Sequence, residues 1–149
     1  DNILFDQAGE RALGLIDLDT VQPGLVLQDV GDCLRSCCNR SGETRAGAPQ
    51  AELDSTLCRG ILEAYASESR DLLSATEIGL LYDATRLLPF ELGLRFLTDH
   101  LEGNPYFRVS APGDNLRKAL VQFDLVADVE RKEPEIRRII RECWSPAGA

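Results

Sequence analysis

Gln22-Pro23-Gly24 divides the chain unequally, and every apolar pattern downstream of it has the period of a helix. From Leu25 to Cys38 the apolar residues recur at Leu27, Val30, Leu34 and Cys37 or Cys38. A second helix is predicted from Ala51 to Ser67, with Leu53, Leu57, Ile61, Ala64 and Tyr65 facing inward. Ser74-Ala75-Thr76-Glu77 matches a capping box and opens a long segment that reaches Leu101. That segment is apolar on several sides, through Ile78, Leu81, Leu88, Phe90, Leu92, Phe96 and Leu97, as a central buried helix requires. Pro89 within it predicts a kink or a break, and Gly103-Asn104-Pro105 ends it. A fourth helix, Asp114 to Arg131, rests on Leu116, Leu120, Phe123 and Val126 or Ala127. A fifth has Pro134 in its first turn and carries Ile136, Ile139, Ile140 and Cys143 to Trp144.

Ahead of the break, Ile3-Leu4-Phe5, the turn residues Asp6-Gln7-Ala8-Gly9 and a β-prone run from Ala12 to Leu18 read as a hairpin. The polar stretch Asn39 to Gln50, with Gly42, Gly47 and Pro49, reads as a surface loop. The expected fold class is mainly α with a short β-hairpin, and no internal repeat is visible.

A net charge of −9 argues against nucleic acid as a partner, because counterion release needs clustered Lys and Arg. No apolar run approaches the roughly 20 residues of a membrane helix, so no membrane partner is expected. Acidity leaves room for a phosphorylated ligand, since a bound cation reverses the local field. The five cysteines are odd in number and fall mostly at apolar helical positions, without zinc spacing. Reduced, mostly buried thiols and a cytoplasmic location are the expectation. His100, the one histidine, is expected to cap the end of the long helix, and Trp144 to serve packing.

The first group of residues that can carry chemistry is Asn2 with Asp17, joined through the hairpin. An amide oxygen and a carboxylate suit Mg²⁺, a hard cation that demands oxygen ligands. On residue type alone, Asn2 equally caps a loop and Asp17 is a solvated strand-end carboxylate. The second group is Arg95 in its apolar segment, with Glu91 and Asp99 at i−4 and i+4. Either a structural Glu91–Arg95–Asp99 ladder or a fixed guanidinium fork facing a ligand follows from that spacing.

Two strings make the pattern specific. Ile16-Asp17-Leu18-Asp19-Thr20, Pro23-Gly24 and Asp29-Val30-Gly31-Asp32 with Arg35 form one. Phe90-Glu91-Leu92-Gly93-Leu94-Arg95-Phe96-Leu97-Thr98-Asp99, followed by Tyr106-Phe107, forms the other. Together they resemble the N-acetylhexosamine 1-kinases and, more broadly, the aminoglycoside phosphotransferase and choline kinase superfamily.

The resemblance implies the C-terminal lobe of a protein-kinase-like fold. Residues 1–20 would be its metal-binding hairpin and residues 25–144 its helical, substrate-binding part. The nucleotide-binding lobe and the catalytic-loop Asp would lie upstream of Asn2. It implies an ATP-dependent phosphotransferase acting on a sugar hydroxyl, with Mg²⁺ and ATP as cofactor and cosubstrate. Asn2 and Asp17 would hold the metal, and Arg95 and Tyr106 would face the sugar. Asp19 would approach the metal or hydrogen-bond the substrate, and Asp29 would brace the catalytic loop.

For Asp29 and Asp32 the alternative is a favourable place in the first turns of a helix, with Arg35 pairing Asp32 at i,i+3. Alternatives at the level of function are another small-molecule kinase (aminoglycoside, choline or homoserine type) or a non-catalytic helical interaction module of kinase ancestry. A lobe without its cover would leave Ile3, Phe5 and Leu15 exposed, so self-association or a retained N-terminal fragment is also expected.

Overall fold

The computed structural model describes residues 3–42, 51–69 and 72–145. Within them the chain forms a two-stranded hairpin, β1 Ile3–Phe5 and β2 Ala12–Leu15, and then a single 3₁₀ turn, Leu18–Thr20. Five helices follow: α1 Val26–Cys37, α2 Ser55–Ser69, α3 Ala75–Leu101, α4 Asp114–Arg131 and α5 Glu133–Trp144. The mainly helical class with one hairpin is therefore as the sequence patterning requires.

The strands are antiparallel, with Ile3 opposite Leu15 and Phe5 opposite Ala12 across a bulge at Leu4/Phe5. The Asp6 carboxylate organises the connecting turn, accepting from the Glu10 amide at 2.9 Å. No strand residue is covered: Ile3, Phe5 and Leu15 are 50%, 53% and 64% exposed. β2 stops at Leu15 rather than Leu18, because Asp17 turns into the left-handed region and a 3₁₀ turn follows.

Helix α3 is the axis of the molecule, packing along α1 and α4 and also against α5, while α2 lies chiefly on α5. Two glycines set how closely its neighbours approach. A Cβ on Gly31 of α1 would sit 3.0 Å from the Ala84 carbonyl oxygen. A Cβ on Gly93 of α3 would sit 2.6 Å from the Phe123 ring. Any larger residue at either position would force these helices apart. Leu34, Leu62, Leu81, Leu125, Ile136 and Ile139 are completely or almost completely buried between the helices.

The capping box at Ser74 is formed as the sequence predicts, with the Glu77 amide bonded to the Ser74 hydroxyl and the Glu77 carboxylate returning to the Ser74 amide. Glu77 is accordingly held below the usual glutamate range by Ser74. Helix α3 runs through Pro89 without a break. Pro89 is buried, and packing of α3 against α1 and α4 offsets the one missing amide donor. The predicted end is also formed: Gly103 and Asn104 adopt positive φ, and the Asn104 amide bonds the Asp99 carbonyl at 2.7 Å.

Three expectations need correction. Helix α2 begins at Ser55, not Ala51, because residues 51–54 are extended and Leu53 bridges to Asn39. The Asp54 carboxylate then accepts from the Thr56 and Leu57 amides, so Asp54 is the cap. The buried face of α2 is Cys58, Leu62 and Ala66, whereas Leu57 and Ala64 point outward. In α4, Leu120 is 53% exposed and the buried face carries Ala119, Leu125 and Val129 together with the polar Asn115, Gln122 and Asp128.

Those polar residues obscured the periodicity, and Asp128 shows why one is tolerated inside. It accepts from the Leu53 amide at 2.7 Å and pairs with Arg131 and with Lys132 at 3.0 Å. Lys132 in turn reaches the Leu53 carbonyl, clasping the stretch before α2 to α4. Cys38, Cys58 and Cys143 are buried, Cys33 and Cys37 are exposed, and all five are free thiols. No helix among the described residues is long and apolar enough to cross a membrane.

Candidate functional site

The hairpin delivers Asp17 just beyond β2, and it does so on a strained backbone. Asp17 has φ 62° and ψ 49°, one of two non-glycine residues with positive φ among those described. Such a conformation costs about 1–2 kcal/mol in an L-residue and persists where surroundings or function require it. The Asp17 side chain makes no capping hydrogen bond, which leaves its carboxylate open to solvent. Asp19 follows in the 3₁₀ turn and is also exposed. Asn2 lies outside the described residues, so its place beside Asp17 is not described.

Asp29 sits in the first turn of α1, exposed, at the edge of a cleft of about 250 Å³ formed with Gln22, Gly24 and Gln28. Its carboxylate has no side-chain partner among the described residues. Asp32 and Arg35 pair at 2.7 Å, the i,i+3 contact that their spacing predicts. Among the described residues no three His, Cys, Asp or Glu side chains converge as a metal cluster.

Arg95 and Tyr106, distant in sequence, come together. Both line an open cleft of about 460 Å³ with Glu91, Asp99, Glu102 and Phe107. The Arg95 guanidinium carbon lies 6.0 Å from the Tyr106 ring centroid and 5.5 Å from that of Phe107. The two rings stand edge to face at 4.9 Å. Tyr106 is 75% exposed, so one face of its ring is free. No hydrogen bond or ion pair among the described residues joins Asp17 or Asp19 to this cleft.

The Glu91–Arg95–Asp99 ladder does not form. Asp99 is buried and its carboxylate faces the other way, accepting from the Tyr106 amide at 2.8 Å and the Phe107 amide at 3.0 Å. The third donor is Asn115 Nδ2 at 2.7 Å, which also donates to Asn104 Oδ1 at 3.0 Å. Three donors to one carboxylate outweigh a solvent-exposed i,i+4 ion pair, so Arg95 is released to the aromatic faces. Asp99 thus acts on the cleft by holding the segment that carries Tyr106 and Phe107.

Asp99 and Asn115 are the residues that pattern reasoning under-read. The i,i+4 spacing pairs Asp99 with Arg95, and Asn115, one residue into α4, reads only as a helix start. The available signal was a polar residue at a buried helical phase, which must find partners inside. The loop is closed on its other side by Asp114, which accepts from the Ser110 and Ala111 amides, both at 2.7 Å. These bonds and Arg117 hold the Asp114 carboxyl below the usual aspartate range. His100 is half-buried in the last turn of α3 with Nδ1 unbonded, and it lies outside the cleft lining. Trp144 packs against Tyr65 at 6.4 Å between centroids, a packing role as expected.

Residues 1–69, which carry the hairpin, Asp17 and helix α1, match the family model of the phosphotransferase enzyme family. That match supports the aminoglycoside phosphotransferase and choline kinase superfamily, a hairpin followed by helices is consistent with a kinase-like C-terminal lobe, and the match does not point to the N-acetylhexosamine 1-kinases in particular.

Proposed function

We propose that this chain is the C-terminal lobe of an ATP- and Mg²⁺-dependent kinase that phosphorylates a sugar hydroxyl, the anomeric hydroxyl of an N-acetylhexosamine being the first choice. The observation that carries the proposal is the cleft at Arg95. A guanidinium with no ion pair among the described residues and an exposed tyrosine face, with carboxylates beside them, suit a ring of hydroxyls that needs donors, acceptors and a flat apolar surface. The match of residues 1–69 to a phosphotransferase family supports the chemistry.

Asp17 fits a role as one Mg²⁺ ligand: its exposed carboxylate makes no capping hydrogen bond and its backbone is held at positive φ. Asn2 would supply a second oxygen. Bound there, the ion would neutralise charge on the phosphates. Arg95 and Tyr106 would orient the sugar, and Asp19 would hydrogen-bond the substrate. Asp29 would hold the catalytic loop through its exposed carboxylate. A cytoplasmic location and association through the exposed hairpin belong to the same proposal.

The test is steady-state kinetics on the full-length gene product, with N-acetylglucosamine, N-acetylgalactosamine, an aminoglycoside, choline and homoserine as acceptors. Asp17→Asn is expected to lower kcat at least about a hundredfold. Arg95→Ala is expected to raise the sugar KM and leave that of ATP nearly unchanged. Turnover of a non-sugar acceptor alone would replace the sugar, and no ADP release with any acceptor would remove the kinase.

A further inference from the structure

On the other side of Arg95 the same aromatic wall continues into a second cleft of about 400 Å³, between α1, α3 and α4. Glu91, Arg95 and Phe107 line both clefts, so the two are adjacent and share a wall. Their chemistry differs. The Tyr106 side adds Asp99 and Glu102 and is acidic apart from Arg95, whereas the second side adds Lys118.

The two lysines of the chain, Lys118 within α4 and Lys132 at its C-terminal cap, are used differently. Lys132 is committed to Asp128 and the Leu53 carbonyl. Lys118 has no ion pair among the described residues, and its ammonium rests 5.3 Å from the Phe96 ring centroid. Phe96 packs on Phe107 at 4.6 Å, and Arg95 lies over the opposite end of that pair. Two cations without a carboxylate partner among the described residues thus meet at one cleft of a protein whose net charge is −9. Of the remaining charges there, Asp32 and Arg35 pair with each other, and Glu91 offsets one of the two cations, leaving the lining net positive.

In an acidic protein, mobile cationic side chains ordinarily find carboxylates. Two that point into one concave, partly apolar site instead provide converging donors for a ligand of opposite sign. We infer that the cleft between Arg95 and Lys118 binds an oxyanion, a phosphate or carboxylate group, either carried on the sugar or free in solution. Carriage on a sugar rests on the function proposed above, and the anion site itself does not. The geometry then divides the labour: hydroxyls toward Tyr106 and the carboxylates, acidic substituent toward Lys118. A purely structural Lys118 would only lay its aliphatic stem over Phe96.

Isothermal titration of the chain with N-acetylglucosamine 6-phosphate, glucuronate, inorganic phosphate and neutral N-acetylglucosamine tests the inference. The expected result is that the phosphate-bearing ligands bind at least about tenfold more tightly than the neutral sugar, with affinity falling as salt rises. Lys118→Met keeps the stem over Phe96 and removes the charge. It should leave the unfolding midpoint unchanged and weaken phosphate binding by about tenfold.

Equal affinity for inorganic phosphate and sugar phosphate would support the oxyanion site with a free anion as its ligand. Preference for the sugar phosphate would support it with the sugar as carrier. Wild-type affinity in both Lys118→Met and Arg95→Gln, or no anion binding above that of the neutral sugar, would overturn it. Neutral-sugar turnover by the full-length enzyme together with no anion binding would sink this inference alone. Anion binding without turnover of any sugar would sink the kinase proposal alone.

Discussion

Replacing Asp99 with Ala separates the observed hydrogen-bonded arrangement from the ladder that the spacing suggests. Asp99 is 4% exposed and its carboxylate receives three donors. Truncation leaves one of the two Asn115 Nδ2 hydrogens without an acceptor in a completely buried residue, the other keeping Asn104 Oδ1, and loses two amide bonds from a segment next to solvent. An unsatisfied buried donor costs about 1–3 kcal/mol, and each amide that regains water forfeits about 0.5–1 kcal/mol. The sum is about 3 kcal/mol, which for a chain of this size lowers Tm by roughly 6–12 °C.

Arg95→Ala removes only contacts of an exposed side chain with ring faces and should stay within about 0.5 kcal/mol of wild type. Urea denaturation of both single variants and the double variant is the assay, and the two effects should add within about 0.5 kcal/mol. Coupling above about 1 kcal/mol, or an Arg95→Ala loss as large as that of Asp99→Ala, would refute this account and restore the ladder. On the function proposed above, Asp99→Ala in the full-length protein should also raise the KM for the acceptor, because Tyr106 and Phe107 lose their anchor.

Two further predictions follow from backbone strain and from charge. Asp17→Gly should raise stability by about 0.5–1 kcal/mol, since glycine adopts positive φ without penalty; a destabilised variant in thermal melts would show that Asp17 has a structural partner. Asp54, Glu77, Asp114, Glu133 and Glu142 are all held below their ordinary values by hydrogen bonds formed in the fold. Their stabilisation is complete above the ordinary carboxylate range, about pH 4–4.5, and is lost as pH falls through their lowered values. Asp114→Asn should flatten that acid limb in pH-dependent urea melts, and an unchanged limb would contradict the assigned bonds.

The sequence by itself determined the elements: a hairpin, then five helices, with the capping box, the Gly103-Asn104 stop and Pro134 marking ends that local chemistry dictates. These signals act within a few residues and need no partner. Which face of α4 is buried was not local, because Asn115, Gln122 and Asp128 occupy inward positions that a hydrophobic count assigns to solvent. The same holds for the candidate site. Residue identity singled out Asp17, Arg95 and Tyr106, but only the packing of α4 on α3 brings Asn115 to Asp99, takes that carboxylate away from Arg95 and sets Lys118 across from it. A charged side chain goes to the partner offering the most donors in three dimensions, and its neighbours at i±4 are only the nearest candidates.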